Sequence, residues 1–324
     1  MLTEIKLSQT DKKLLAQLYH NSREPATKIA SALNLSREQV SYRIKKFEKE
    51  DIIKGYLPLI NYSKLGYHHL ILVFFKFNKQ SQISMFKHDL KESKYRITTV
   101  EVMAKYDLGM LFVFKNEKER NEYLTEMLQK YNSEISDYLI LEPYFSEFYP
   151  LKFLGNRQSS ANTFLEYKQK EYHLDEKERK VLSILCKNAN IPIIEIAKKT
   201  NISAELLVYK LKRLRKEKVL ISTRAYFNMQ RIGYFYSIIF INLHNLSEKA
   251  RDKLKLFAKQ NEFIDSLIML FGKPNAYIQI FHKDISELYK TIEELKSFFL
   301  NEQISIEILP LKNEGEDINA LPFL

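Results

Sequence analysis

Two short stretches of this sequence combine basic, aromatic and hydroxyl side chains at helical spacing. The first runs from Ser36 to Lys46 and the second from Ser203 to Arg215. Arginine can hydrogen-bond to guanine and glutamine to adenine, whereas lysine and tyrosine suit phosphate oxygens. Such side chains on one helix face indicate contact with a polyanion, and double-stranded DNA is the partner we expect.

The two stretches differ at their outward positions. In the first, the candidate DNA contacts are Ser36, Arg37, Gln39, Ser41, Tyr42, Arg43, Lys45 and Lys46. In the second, they are Ser203, Tyr209, Lys210, Lys212, Arg213 and Arg215. Ala204, Leu206 and Val208 stand where the first stretch has Arg37, Gln39 and Ser41. We therefore expect the first stretch to recognise bases and the second mainly to contact phosphates, or to dock a protein through Leu206 and Val208.

The positive charge is concentrated around these stretches. The 324 residues carry a formal net charge of +11. Residues 1–55 hold 11 Lys/Arg against 7 Asp/Glu, and residues 171–224 hold 13 against 7. An excess of positive charge that is confined to two compact segments indicates two polyanion-binding modules.

The sequence is an internal duplication. A shift of 167 residues aligns Leu7–Tyr67 with Leu174–Tyr234 without a gap, and 18 of the 61 pairs are identical. Pro25 matches Pro192, and Tyr42 matches Tyr209. The chain is therefore predicted to contain two units of roughly 155 residues.

Each unit begins with a helical pattern. In the first unit, Ser8 with Asp11 forms a capping pair, Pro25 opens a second helix, and Ser36 caps a third. The second unit repeats this order, with Asp175 and Glu178 as the capping pair and Ser203 as the later cap. Three short helices with a tight turn before the last predict a helix-turn-helix (HTH) domain.

The hydrophobic period then changes from 3.6 to 2. In the first unit we predict strands at 69–77, 96–104, 108–114 and 138–144, with helices at 82–92 and 117–130. In the second, we predict strands at 236–243, 264–271, 276–281 and 304–309, with helices at 248–259 and 285–298. This βαββαβ order is ferredoxin-like.

The predicted fold class is α+β, with two tandem units that each combine a winged HTH domain and a ferredoxin-like module. We expect the two sheets to pack face to face as an intrachain pseudo-dimer, and further association into a homo-oligomer stays open. The expected boundaries are residues 1–60 for the first HTH domain, 61–154 for the first module, 155–172 for a polar linker, 173–227 for the second HTH domain and 228–324 for the second module.

The order of these elements resembles the leucine-responsive regulator/AsnC (Lrp/AsnC) family of transcription factors, whose second module is of the RAM type. The matching segments are ATKIASALNLSREQVSYRIKKFEKEDIIKGY in the first unit and IIEIAKKTNISAELLVYKLKRLRKEKVL in the second. The resemblance implies a sequence-specific transcriptional regulator of the archaeal type. Because the two recognition helices differ, one chain would bind an asymmetric site with half-sites one or more helical turns apart, about 34 Å per turn.

In this family, small effectors such as amino acids bind near a Gly-x-x-Asp turn between the second and third strands. The first unit has Ala104, Lys105, Tyr106 and Asp107 there, so it keeps the aspartate without the glycine. The second has Gly272, Lys273, Pro274 and Asn275, so it keeps the glycine without the aspartate. The resemblance thus implies an amino-acid effector at Lys105, Tyr106, Asp107, Gly272, Lys273 and Asn275, and a plain hairpin turn is the alternative.

Two other functions remain as alternatives. Sirohaem decarboxylases resemble the same family and hold a haem with His and Arg clusters, but here only Arg96 and His282 lie in the corresponding strands. The chain is therefore not expected to be an enzyme. A protein-docking scaffold that has lost DNA binding is the second alternative.

Composition excludes several other classes of protein and site. The single cysteine, Cys186, cannot form an internal disulfide, and the seven histidines show no metal-ligand spacing, so no metal or other cofactor is expected. No run of 18 apolar residues exists, and residues 1–13 do not resemble a signal peptide. We expect a cytoplasmic protein with no membrane contact.

Overall fold

The computed structural model describes residues 4–155, 162–165, 170–313 and 315–324, with the backbone alone at 162–165. The rest of the predicted linker, 156–161 and 166–169, lies outside the described residues. The chain divides into two compact units. The helical unit consists of the described parts of Met1–Asn61, Tyr149–Asn162 and Tyr172–Phe235, and the sheet unit of those of Tyr62–Phe148, Thr163–Glu171 and Tyr236–Leu324.

The elements follow the predicted order closely. The helices are α1 Gln9–His20, α2 Ala26–Leu33, α3 Arg37–Lys49, α4 Gln80–Leu90, α5 Glu117–Lys130, α6 Glu176–Lys187, α7 Ile193–Thr200, α8 Ala204–Lys216, α9 Glu248–Gln260 and α10 Ile285–Phe298. The strands are β1 Ile53–Ile60, β2 His69–Phe77, β3 Arg96–Glu101, β4 Leu108–Phe114, β5 Ile135–Phe148, β6 Asn162–Leu165, β7 Leu220–Phe227, β8 Phe235–Leu243, β9 Ile264–Phe271, β10 Ala276–His282 and β11 Ile304–Leu311.

The helical unit contains both HTH domains, and strands that the sequence did not reveal join them. β1 follows α3, β7 follows α8, and the two pair antiparallel from Ile53 opposite Phe227 to Ile60 opposite Leu220. The backbone N–H of Ser22 donates to Thr223 O at 2.7 Å, and that of Ala189 donates to Tyr56 O at 2.9 Å. The end of each domain's first helix therefore contacts the strand of the other domain.

The sheet unit contains both βαββαβ modules in one continuous sheet. The strand order is β11-β8-β10-β9-β5-β2-β4-β3, and β6 pairs with β5 outside this path. Each half keeps the ferredoxin-like order, and the pairing of β5 with β9 joins the halves, for example at Glu147 opposite Leu267. The two expected sheets are thus the two halves of a single sheet.

The sheet also folds back on itself and brings side chains of its two halves into contact. Phe74 on β2 and Phe240 on β8 lie with ring centroids 5.5 Å apart. In a flat sheet these strands, four spacings of about 4.8 Å apart, would be separated by roughly 19 Å. Gly109 on β4 makes room at this contact, because a side chain there would lie 2.8 Å from the Phe74 ring.

The C-terminal residues close the sheet. Backbone hydrogen bonds join β3 to Lys312, Glu316 and Asn319, including Lys312 N–H to Glu101 O at 2.8 Å and Asn319 N–H to Ile97 O at 2.7 Å. Phe323 stacks on Tyr67 with centroids 3.6 Å apart. This pairing covers the exposed edge of β3, which would otherwise offer unpaired backbone groups to another chain.

Arg96 holds this closing segment in place. It is 2% exposed and donates from Nε to Leu90 O at 2.9 Å, from Nη2 to Lys91 O at 2.7 Å, and from Nη1 to Asp317 O at 3.2 Å. Arg96 therefore links the end of α4, β3 and the C-terminal segment.

We expect Arg96→Ala to lower the free energy of unfolding by about 3 kcal/mol, because the carbonyl oxygens of Leu90, Lys91 and Asp317 lose a charged donor and the bond to Leu90 is buried. Urea denaturation followed by far-ultraviolet circular dichroism measures this loss. Lys118→Ala, at a side chain that is 82% exposed, is the matched control and should change stability by less than about 0.5 kcal/mol. Equal effects of the two substitutions would show that Arg96 does not hold the segment.

Candidate DNA interface

Each HTH domain presents its third helix after a tight turn. Asn34 ends α2 and Asn201 ends α7, with φ of 55° and 54°, in the left-handed region that asparagine tolerates better than most residues. Ser36 and Ser203 then accept a hydrogen bond from the backbone N–H three residues later. As predicted, these serines cap α3 and α8.

Packing fixes which face of each third helix is free. Val40 and Phe47 bury one side of α3, and Leu207 and Leu214 bury the same side of α8. The opposite side carries exposed residues at spacing i, i+4, i+7 and i+11, which places them in one row. This exposed stripe consists of Glu38, Tyr42, Lys45 and Lys49 on α3 and of Glu205, Tyr209, Lys212 and Lys216 on α8.

The exposed stripe has the same four residue types in both domains, although most of the 61 aligned pairs differ. Tyr42 and Tyr209 are 69% and 59% exposed, so packing within the chain does not require an aromatic ring there. The stripe lysines have no ion-pair partner among the described residues. Both helices therefore offer one aromatic ring and two free ammonium groups to a partner.

The flanks of the stripe differ between the domains. Arg37 and Ser41 lie one turn apart on one flank of α3, and Ala204 and Val208 occupy these positions on α8. Arg37 is exposed, and Val208 is 37% exposed. The first domain thus places hydrogen-bonding groups, and the second aliphatic groups, beside the same central row.

Gln39 serves as a helix cap. Its Oε1 accepts the Ser36 backbone N–H at 2.8 Å, and its own N–H donates to Ser36 Oγ at 3.1 Å. Bidentate recognition of adenine needs the same Oε1 as an acceptor. The expected contact of Gln39 with adenine therefore requires the capping box to open, and Arg37 is left as the free base-contacting side chain of the first turn.

The structure corrects the prediction that Lys210 contacts DNA, because its side chain is only 7% exposed. Its ammonium pairs with Asp175 and lies 3.8 Å from a carboxylate oxygen of Glu178. The other contacts of Glu178 include the Tyr172 hydroxyl, which donates to it at 2.8 Å. Lys210 thus neutralises the buried carboxylate of Glu178 and the exposed carboxylate of Asp175, and it does not face DNA.

Arg43 occupies the equivalent position in the first domain. It pairs with Asp11 of α1, and its side chain remains 30% exposed. Burial raises the Asp11 pKa, but hydrogen bonds from Ser8, followed by the contact with Arg43, outweigh this effect and hold the pKa below its ordinary value. Arg43 therefore joins α3 to α1, as Lys210 joins α8 to α6.

The other predicted contacts lie on the outer side of their helices. Lys46 lies 3.9 Å from Glu50, one turn along α3. The Arg213 guanidinium lies 5.4 Å from the Tyr172 ring centre. Arg215 is exposed, and Ser41 is half-buried. Lys49 and Lys216, which complete the stripe, were not among the predicted contacts; their identity in the two repeats together with the seven-residue step from Tyr42 and Tyr209 was the available signal.

The predicted effector turns are tied to the adjoining strands. Asp107 accepts the Phe77 backbone N–H at 2.8 Å and the Lys76 ammonium at 3.0 Å. Asn275 accepts the Leu243 N–H at 3.0 Å and donates to Leu243 O at 2.8 Å. In each module, the equivalent side chain thus ties the turn to the end of a neighbouring strand. The prediction of an effector contact at Asn275 is corrected, because both its polar atoms are engaged.

The remaining residues of these turns divide into buried and exposed. Tyr106 is 3% exposed, so the structure places it in the core and corrects its prediction as an effector contact. Lys105 is exposed and lies 3.2 Å from Glu307. Gly272 has a φ of +90° and open space around it, and Lys273 is exposed.

The Arg and His residues considered for haem binding make structural contacts. Arg96 holds the C-terminal segment, and His282 Nε2 lies 2.9 Å from Ser237 Oγ in the core. Burial lowers the His282 pKa, which favours the neutral imidazole. Across the described ranges, no group of three His, Cys, Asp or Glu side chains is placed to hold a metal ion, and no helix combines the length and apolarity needed to cross a membrane.

Known regulators match one repeat of the chain at a time. An uncharacterised HTH-type transcriptional regulator of Pyrococcus furiosus is 26% identical over 124 residues, which cover 38% of this chain and 83% of the relative. The HTH-type transcriptional regulator FL11 of Pyrococcus horikoshii is 27% identical over 122 residues, which cover 37% and 79%. These relatives therefore correspond to single units of the duplicated chain.

A solved structure shows a similar fold over the whole chain. The sirohaem decarboxylase NirDL is 15% identical, with a TM-score of 0.61, and the match covers 98% of this chain and 96% of the enzyme. At this identity the likeness concerns the fold alone. The family model for winged helix-turn-helix DNA-binding domains matches residues 7–54 and 174–221. The chain thus carries a winged helix-turn-helix DNA-binding domain in each of its two repeats, and it is similar to HTH-type transcriptional regulators of Pyrococcus.

Proposed function

We propose that the two HTH domains of one chain bind a single DNA duplex as an asymmetric pair. The exposed stripe carries this proposal, because both domains keep the same Glu, Tyr and two Lys where neither fold nor packing requires them. A glutamate can accept the amino group of cytosine, a tyrosine suits phosphate, and lysines neutralise phosphates. Both third helices are therefore equipped for the major groove.

The first domain supplies most of the sequence recognition. Arg37 lies in the first turn of α3, where recognition helices contact base edges, and its exposed guanidinium can bind guanine O6 and N7 together. Ser41 lies one turn further along the same flank. The hydrogen-bonding flank of α3 is what distinguishes this domain from its partner.

The second domain mainly contacts phosphates. The exposed cations of α8 are Lys212, Arg213, Arg215 and Lys216, whereas the first turn of this helix has Ala204 in place of Arg37. Phosphate contacts add affinity and fix the position of a protein on DNA without selecting a sequence. The first domain therefore contributes most of the sequence recognition, and the second contributes mainly affinity through its phosphate contacts.

Hydroxyl-radical footprinting on genomic fragments tests the arrangement. We expect two protected half-sites of unlike sequence, one or more helical turns of about 34 Å apart. A palindromic site would contradict the asymmetric pair, and one protected half-site would show that a single domain binds. Repeating the footprint with added amino acids tests the effector that the family resemblance implies, for which Asp107 and Asn275 offer no free binding groups.

In the proposed function, the sheet unit serves as a scaffold. The likeness to a sirohaem decarboxylase concerns the fold, and the residues considered for haem binding have structural contacts in this chain. Visible absorbance after incubation with a sirohaem distinguishes the two functions, because an enzyme of that class would retain the coloured tetrapyrrole. Retention of one sirohaem per protein chain would favour the enzyme function.

We expect Arg37→Ala to weaken binding to the preferred site by about 5-fold to 150-fold and to leave binding to unrelated DNA within about threefold, because it removes one bidentate base contact worth about 1–3 kcal/mol. Competition binding with preferred and shuffled duplexes measures the ratio. Lys118→Ala on α5 is the control. An equal loss for both duplexes would show that Arg37 contacts only phosphate.

We expect Lys45→Ala and Lys212→Ala each to weaken binding to every duplex and to make the slope of log affinity against log salt shallower by about 0.9, since each removes one phosphate contact. Fluorescence anisotropy between 50 and 200 mM salt, the range over which such contacts weaken strongly, measures the slope. If Lys45→Ala changes the slope and Lys212→Ala does not, the second domain does not lie on DNA.

Lys210 and its neighbour Lys212 should behave in opposite ways. Lys210→Ala leaves the Glu178 carboxylate buried without its cation, so we expect a loss of about 3 kcal/mol in the free energy of unfolding, with an unchanged salt slope for the folded protein. Lys212→Ala should leave stability within about 0.5 kcal/mol. A stable Lys210→Ala protein with a shallower salt slope would restore Lys210 as a DNA contact.

A further inference from the structure

The aliphatic flank of α8 is unusual for a helix that lies among so many cations. Ala204 and Val208 stand one turn apart in the first half of the helix, and Val208 is 37% exposed. Their counterparts in the first domain, Arg37 and Ser41, are polar. Aliphatic side chains in contact with water gain nothing from their exposure, so this flank points to an apolar group on whatever binds there.

The charge around this flank indicates the nature of the partner. Lys212 and Lys216 of the exposed stripe lie beside it, and Arg215 lies on the same side of the helix. None of these three cations has an ion-pair partner among the described side chains. A polyanion would neutralise these cations, and a polyanion with small apolar groups would also match the aliphatic flank beside them.

Duplex DNA meets both requirements, because its phosphates supply the negative charge and one of its bases supplies an apolar group. The C5-methyl group of thymine is the apolar feature that the major groove exposes, and alanine and other small aliphatic side chains contact it. We propose that Ala204 and Val208 select thymine in the half-site bound by the second HTH domain, so that this domain adds a preference for thymine methyl groups to its grip on phosphates. This inference rests on the proposed DNA binding by both domains.

The two domains would then use different chemistry on the same flank. The first selects guanine through the guanidinium of Arg37, a directional hydrogen-bond contact. The second selects thymine through burial of methyl groups, which requires a complementary apolar surface and no hydrogen-bond donors. One buried methyl group is worth a factor of about three to four in affinity, so two contacted thymines would give roughly a tenfold preference.

Deoxyuridine provides the test, because it differs from thymidine by the absent methyl group alone and keeps the same base pairing. The protein is first footprinted to locate both half-sites, and thymidine is then replaced by deoxyuridine in one half-site at a time. We expect binding to weaken about threefold to tenfold when the replacement is in the half-site of the second domain. Replacement in the other half-site should change binding by less than twofold.

Exchanged side chains supply the matched controls. Ala204→Arg with Val208→Ser copies the first domain into α8 and should abolish the sensitivity to deoxyuridine while DNA binding persists. Arg37→Ala with Ser41→Val makes the reciprocal change in α3 and should create sensitivity in the first half-site. Both pairs lie on exposed or half-buried flanks, and circular dichroism confirms that the variants are folded.

The outcomes separate this inference from the proposed function. Normal binding with equal affinity for thymidine and deoxyuridine in the second half-site overturns thymine selection and leaves DNA binding intact. Protection of the first half-site alone would show that the second domain does not bind DNA, and this result overturns the inference. Val208 would then be available to contact a protein partner. Absence of binding to any duplex at low salt overturns the proposed function and the inference together.

Discussion

The antiparallel pairing of β1 with β7 is the constraint on which the arrangement of the DNA-binding helices depends. Each strand begins within four residues of the third helix of its own domain, so the ladder from Ile53 to Ile60 fixes where α3 and α8 end relative to each other. Moving the two helices apart would break this ladder and the bonds to Thr223 and Tyr56. If both domains bind one duplex as proposed, the helical unit therefore sets the spacing of the two half-sites.

Local patterns predicted most of the fold. The caps at Ser8, Ser36 and Asp175 were found from sequence because the capping residue and its partner are three positions apart. Strands such as β4 and β9 were bounded correctly because their apolar runs are short and end in turn residues. The repeat itself supplied a second test of each element, since a pattern that appears twice at the same offset is seldom accidental.

Long-range contacts account for what the sequence did not reveal. β1 contains Gly55 and Pro58, residues that weaken a strand prediction, and its partner lies more than 160 residues away. Lys210 was predicted to be exposed because its position on α8 is basic, and only the folded domain brings Asp175 and Glu178 against it. The same holds for Asp107 and Asn275, whose turn chemistry is visible in the sequence while their bonds to the ends of β2 and β8 are not.

Fusion of the two repeats allows asymmetry that a homodimer cannot have. Arg23 crosses between the domains and donates to Ala189 O at 2.9 Å and to Ile191 O at 2.6 Å. The equivalent residue, Asn190, has a shorter side chain without a guanidinium, and a cavity of about 420 Å³ lies beside it. In a homodimer each substitution appears on both sides of the two-fold axis and must suit both half-sites. Here one side can pack and bind differently from the other, which is why α3 can keep Arg37 while α8 carries Ala204 in a single DNA-binding unit.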